Sequence, residues 1–239
     1  NGHIGLRGTL DEGEPYGRPG TYLNSFYEVR PLPHAEAGYG YPQAGQTVVI
    51  TAASSSVGIA ALQVAVLAGA TPVAVTTSQS KAEALRTLGP WPVFVMPTER
   101  SDIRSTSGYV DFVRAVSGGR GSDLVFDAVA GPGISELIKG SARGGRIILQ
   151  GLLDRRPMDI HAGVLMKRLL TLKGFTVDVV TADPANLAAG VAYVTAGLES
   201  GALSPVIARR FPLEQWREAF QLLESNQHIG KIIVNPGPG

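Results

Sequence analysis

From Thr47 onward, short β-branched runs alternate with helical stretches, and this alternation constrains the fold more than any other feature of the chain. Continuous apolar strands separated by helices suit a parallel sheet covered on both faces. The runs at 47–53 (TVVITAA), 72–76 (PVAVT), 92–96 (PVFVM), 123–128 (DLVFDA), 145–150 (GRIILQ) and 170–176 (LTLKGFT) read as strands. Helices fall between them at 56–69, 79–88, 108–117, 133–140 and 161–168. Six strands with right-handed crossovers predict an α/β fold with a doubly wound parallel sheet of order 3-2-1-4-5-6. A helix over 183–199 follows, with Asp183 as N-cap and Pro184 at its first position. The tail reads as a strand at 205–209, an amphipathic helix at 213–224 and a last strand, KIIV, at 231–234.

Residues 1–46 have a different texture, dense in Gly and Pro with no sustained period, and build no core of their own. The expected organisation is an irregular segment at 1–46, a dinucleotide-binding domain at 47–203 and a strand-helix-strand unit at 204–239. Of the 239 residues, 21 are basic and 20 acidic, so the overall field draws the chain to neither nucleic acid nor anionic membrane. The longest apolar run, 57–70, is too short for a membrane span and the N-terminus lacks a signal pattern; the expectation is a cytoplasmic protein. The absence of cysteine excludes disulfides, a thiol nucleophile and thiolate-bound zinc. His3, His34, His161 and His228 have no spacing that suggests metal ligation, and no catalytic side chain stands out.

The turn after the first strand reads Ala52-Ala53-Ser54-Ser55-Ser56-Val57-Gly58. In a doubly wound sheet this is where the first helix meets an anionic ligand, and small residues let the backbone approach a pyrophosphate. Aligned on G-x-G-x-x-G, only Gly58 survives as glycine, with Ala53 and Ser55 at the earlier positions. The alternative is a strand–helix turn whose serines cap the helix. After the second strand comes TTSQSK, with Thr76, Thr77, Ser78 and Lys81 but no acid before Glu83. A carboxylate there would favour NAD; hydroxyls and a lysine instead offer charge-assisted hydrogen bonds to a 2′-phosphate, so NADP(H) is the expected cofactor. Here too an ordinary N-cap by Ser78 or Ser80 beside a solvated lysine is the alternative.

The stretches AGQTVVITAASSSVGIAALQVAVLAGA, TTSQSK, GGRGSDLVFDAVAG, GGRIILQG and FPLEQWREAFQLLESNQHIGKIIV together resemble the zinc-free quinone oxidoreductase and enoyl reductase branch of the medium-chain dehydrogenase/reductase superfamily, over residues 44–239. The resemblance implies a Rossmann domain with Ser55, Ser56 and Val57 at the pyrophosphate, and Ser78 and Lys81 at the 2′-phosphate. It further implies Val129 and Ala130 near the nicotinamide ribose, and Gln150 and Gly151 near the ring. Ser55 and Ser56 replace glycines of the family's turn, and Met96 stands where these reductases commonly have a tyrosine. The implied activity is NADPH-dependent hydride transfer to a small electrophile, a quinone or enone, with homodimerisation through strand six.

Complete members carry a mostly β catalytic domain ahead of the first Rossmann strand, and residues 1–46 do not resemble it. The run NGHIGLRGTLDEGEPYGRPGTYLNSFYEVRPLPHAEAGYGYPQAGQTVV instead resembles the start of the N-terminal domain of the glycoside hydrolase family of maltose and trehalose phosphorylases. The chain therefore reads as a chimera joined at about 44–50, with impaired catalysis expected. A non-catalytic dinucleotide-binding module is the alternative; a glycan-active protein rests on the N-terminal segment alone. Glu12, Glu14 and Glu28 do not make a glycosidase pair, which needs two carboxylates positioned across a bound sugar.

Overall fold

The computed structural model of the chain describes residues 42–97 and 108–237. Most of the N-terminal segment, with His3, His34, Glu12, Glu14 and Glu28, lies outside the described residues. Six strands form one parallel sheet: β1 (Thr47–Ile50), β2 (Thr71–Thr76), β3 (Val93–Val95), β4 (Ser122–Asp127), β5 (Ser141–Leu149) and β6 (Thr171–Gly174). Their order is β3-β2-β1-β4-β5-β6, the order the strand–helix alternation predicts.

The central strands β1, β2 and β4 are buried on both faces because each alternates its apolar side chains between two helical layers. Val48 and Ile50 of β1 pack with Ile59 and Leu62 of α1 (Ser56–Leu67) and Leu85 of α2 (Gln79–Leu88). Val49, between them in sequence, joins the opposite cluster with Val113 of α3 (Tyr109–Val116) and Ile138 of α4 (Ile134–Gly140). Leu124 and Phe126 of β4 repeat the split, with Val125 on the other face. Each fully buried Val, Leu or Ile side chain contributes about 1.5–3 kcal/mol, so this two-sided packing fastens the sheet to both layers.

β1 pairs with β2 on one side (Val49 opposite Val73) and with β4 on the other (Val49 opposite Val125). Crossovers on either side of β1 run to opposite faces, which leaves a crevice at the carboxyl ends of β1 and β4. Strand β5 starts at Ser141, earlier than its apolar run suggests, because Ser141 lies opposite Ser122 ahead of a register shift to Arg146 opposite Leu124. Beyond β5 come α5 (Ala162–Arg168), β6, the single turn α6 (Asp178–Thr181) and α7 (Pro184–Glu199), whose N-cap Asp183 accepts from Ala185 N at 2.8 Å.

The tail forms a second, two-stranded parallel sheet, β7 (Ile207–Pro212) and β8 (Lys231–Asn235), joined by α8 (Trp216–Glu224). It returns to the first helix. Gln63 of α1 makes a two-way bond to the Ser204 backbone, at 2.9 Å and 3.0 Å, and Gly230 N donates to Ser54 O at 3.1 Å. Among the described residues no helix is long and apolar enough to cross a membrane.

Candidate functional site

At the end of β1 the chain turns sharply, with Ala52 in the left-handed region at φ +46°. Ser55 caps α1, its Oγ accepting from Gly58 N at 3.0 Å. Gly58 is where α1 comes closest to the turn: a Cβ there would stand 2.5 Å from Ala52 O and 2.7 Å from Ala53 Cα. Only glycine fits this approach. The first amides of α1, at Ser56 and Val57, have no acceptor inside the helix and carry the positive end of its dipole. Capping by Ser55 and a phosphate-binding turn are thus compatible, because the cap occupies the hydroxyl and leaves those amides.

The floor of the crevice is set by Asp127, the last residue of β4, which has no solvent exposure. Its Oδ1 accepts from Thr51 Oγ1 at 2.6 Å and Val129 N at 3.0 Å, and its Oδ2 from Ala130 N at 3.0 Å. Thr51 Oγ1 in turn accepts from Ala128 N at 2.9 Å. Burial pushes the Asp127 carboxyl above the usual carboxylate range, while the bonds from Thr51, Val129 and Ala130 pull it back. This clasp ties the ends of β1 and β4 together and holds Ala130 at φ +59°. Asp154 closes the same loop from the other side: its N donates to Val129 O at 2.9 Å, and its carboxylate takes the Arg156 guanidinium at 2.7 Å. Those bonds from Arg156 hold Asp154 below its ordinary pKa.

After β2, Ser78 caps α2, accepting from Lys81 N at 3.4 Å and sharing a bond with Ser80 Oγ at 2.8 Å. Lys81 Nζ donates to Asn226 Oδ1 at 3.0 Å, and burial lowers its pKa. His228 follows two residues later in the tail, its Nδ1 buried with no hydrogen-bond partner.

These pieces enclose a cleft of about 300 Å³. Ser55, Lys81, Val129 and Ala130 line it, so four of the residues expected at a dinucleotide are brought together. Ser56 faces an adjoining recess beside His228 and Lys231. Val57, Ser78, Gln150 and Gly151 are not part of the cleft lining. Gln150 N instead donates to Asp127 O at 2.8 Å, and a Cβ at Gly151 would sit 2.7 Å from Ala128 O, so this loop braces the β4 loop. Sequence reasoning missed Thr51, Asp127, Asp154, Asn226 and His228, all on the cleft wall. The Asp at the end of an apolar strand was a usable signal for the clasp; the tail residues had none, since Asn226 and Lys81 are 145 positions apart.

Residues 102–234 match the family described as zinc-binding dehydrogenase, and residues 1–60 match the N-terminal domain of glycosyl hydrolase family 65. The N-terminal match is close: an uncharacterized glycosyl hydrolase of Mycobacterium leprae is 90% identical over 49 residues, 20% of this chain and 6% of that protein. An acryloyl-coenzyme A reductase of Sulfurisphaera tokodaii is 29% identical over 80% of this chain and 51% of its own length. A quinone oxidoreductase of Rattus norvegicus is 26% identical over 80% of this chain and 55% of its own length. A mycobacterial quinone oxidoreductase has the same fold, with a TM-score of 0.70 at 21% identity over 81% of this chain and 57% of that one. A related mycobacterial structure in complex with NADPH gives the same score at 21% identity over 81% and 58%. The chain thus spans about half the length of the reductases it matches.

The zinc implied by the family description does not fit this donor set: the sequence has no cysteine, and the described residues contain no group of three or more His, Asp or Glu able to hold a metal ion. Dinucleotide fits better, because Ser55 at the start of α1, Lys81 and His228 line one cleft. By its sequence match, the chain belongs to the zinc-binding dehydrogenase family of the medium-chain dehydrogenase/reductase superfamily, with an N-terminal segment similar to the start of a glycosyl hydrolase.

Proposed function

We propose that the cleft binds NADP(H) and that the chain is an oxidoreductase of the quinone oxidoreductase type, acting on a quinone or an activated alkene. One observation carries the reading: Ser55, the N-cap of α1, and Lys81 line one cleft at the crevice between β1 and β4, so the positive end of the helix and an ammonium bear on the same space. Ser55, Ser56 and Val57 are assigned to the pyrophosphate, Lys81 and Ser78 to the 2′-phosphate, Val129 and Ala130 to the nicotinamide ribose, and Gln150 and Gly151 to the ring. The similar quinone oxidoreductases, and the NADPH complex of a structural neighbour, point the same way.

When bound, the cofactor would supply the hydride; the protein's part is to hold and orient it. The Asp127–Thr51 clasp holds the β4 loop that would lie beside the ribose, its carboxylate accepting from the Val129 and Ala130 amides. Transfer also needs the acceptor held against the nicotinamide in near-attack geometry. The matched region is about half of each reductase, so these 239 residues assayed alone are expected to bind dinucleotide with slow turnover. Residues 47–203 are taken as the dinucleotide-binding domain and 204–239 as the unit closing its mouth. Homodimerisation is proposed through the edge of β6, which pairs only with β5 among the described residues.

The test is a fluorescence titration with NADPH and NADH. Saturable binding that favours NADPH is expected, with little quinone or enone reduction. No binding of either at high micromolar concentration removes the reading, and brisk quinone reduction removes the slow turnover.

A further inference from the structure

One wall of the nucleotide cleft comes from the far end of the chain. Residues 226–230, between α8 and β8, cross the mouth of the β1 turn: Gly230 pairs with Ser55 in an isolated parallel bridge, and Asn226 Oδ1 accepts from Lys81 Nζ at 3.0 Å. His228 stands between these two anchors and lines the cleft. Its Nδ1 is buried with no hydrogen-bond partner, and the Leu222 backbone favours the charged form of the ring. A buried nitrogen left unpaired is costly unless something arrives to satisfy it.

We propose that His228 is a phosphate ligand of the dinucleotide, taking up a proton and donating a hydrogen bond as imidazolium to the 2′-phosphate beside Lys81 and Asn226. The inference rests on the NADP(H) reading of the cleft. A neutral ring has one donor and one acceptor nitrogen; as imidazolium it donates from both and adds a positive charge, so either nitrogen can meet a phosphate oxygen. No covalent bond forms or breaks. Lys81 of α2 is the charge whose field reaches the ring. Lys231 of β8 shares the recess behind it, Asp127 and Asp154 lie on the cleft wall, and α8 carries Glu218 and Glu224.

In the free protein, burial first and then Lys81 hold His228 below the ordinary histidine value, against the pull of the Leu222 bond. A bound phosphate dianion raises it. The complex then holds a proton that the free protein lacks, so affinity rises as pH falls through the complex's value and levels off below the free one. The 2′-phosphate takes its own proton near pH about 6, which opposes this trend. The ratio of wild-type to variant affinity cancels that contribution.

The experiment titrates NADP+ and NAD+ into wild type and His228→Gln across the range from weakly acidic to weakly alkaline pH. Glutamine keeps an N–H donor but cannot take a proton. The wild-type advantage for NADP+ should grow from none at alkaline pH to about tenfold at acidic pH, one pKa unit of coupling; NAD+, without the 2′-phosphate, should show no such growth. Thermal melts check that the variant folds, and His228→Asn serves if it does not. The His228 Cε1 proton, followed by NMR, should titrate at higher pH once NADP+ is bound. A pH-flat ratio with intact wild-type binding overturns the inference alone, as does an equal rise with NAD+. Failure of wild type to bind either nucleotide removes the NADP(H) reading and this inference with it.

Discussion

Gly58 and Ala52 decide whether α1 can start where it does. Ala52 already occupies the left-handed region at φ +46°, a conformation alanine adopts at a cost, and its carbonyl points at the Gly58 Cα. A methyl group at 58 would have to displace backbone on both sides rather than a flexible side chain. Gly58→Ala is therefore expected to lose about 1–3 kcal/mol of stability, the usual range for overpacking, and to tilt the α1 amides away from the cleft. Urea unfolding reads the first effect and NADPH titration the second; wild-type values in both would mean the helix start is looser than its contacts imply. This residue was legible in the sequence, because the last glycine of a strand-turn-helix motif has a packing role whatever the turn binds. Ser78 was legible only in part. A serine ahead of a helix and a lysine three positions on suggests both a cap and a phosphate contact, and the side chain is already committed to Lys81 N and Ser80.

The elements were readable because their burial follows local composition: TVVI of β1 is buried at every position, and an uninterrupted β-branched run has few other fates. Strand β5 shows where this fails. Its first residues, SARGG, carry no strand signal, and the strand begins there only because Ser141 meets Ser122 across the sheet. The same limit hid the clasp between β1 and β4, since Thr51 and Asp127 are 76 positions apart and nothing local links them. Its energetics are testable. Thr51→Val removes one donor to a buried carboxylate and the acceptor for Ala128 N together, so a loss of about 1–3 kcal/mol is expected near neutral pH. Burial raises the folded Asp127 pKa, and losing the Thr51 bond raises it further. A group raised in the folded state contributes stability below its unfolded pKa and loses it as pH rises through the folded value. The penalty of Thr51→Val should thus shrink as the pH is lowered and the carboxyl takes its proton. Denaturant midpoints for both proteins across that range measure it, and a penalty that grows toward acid would contradict the clasp.

At the scale of the whole molecule, two surfaces bear on the proposed dimer. Among the described residues the sheet ends at β6 with an unpaired edge, and α7 exposes Leu187, Val191 and Leu198 along one flank. A bare parallel edge invites pairing, and two copies related by a twofold axis can join their β6 strands antiparallel into one continuous sheet. The direction of each amide says which residues would serve. Phe175 N donates inward to Leu149 O, and in a strand alternate residues point to opposite edges, so the amides of Leu172 and Gly174 face outward. Gly174 is exposed, and a Cβ built on it meets nothing within 4 Å, so a proline ring has room there. Gly174→Pro deletes an outward donor, leaves every bond to β5 in place and asks of Lys173 only the extended conformation it already has as a strand residue. Sedimentation should then find the wild type as a dimer and Gly174→Pro as a monomer of unchanged thermal stability. A variant that stays dimeric would move the contact from the β6 edge to an exposed apolar surface such as the flank of α7.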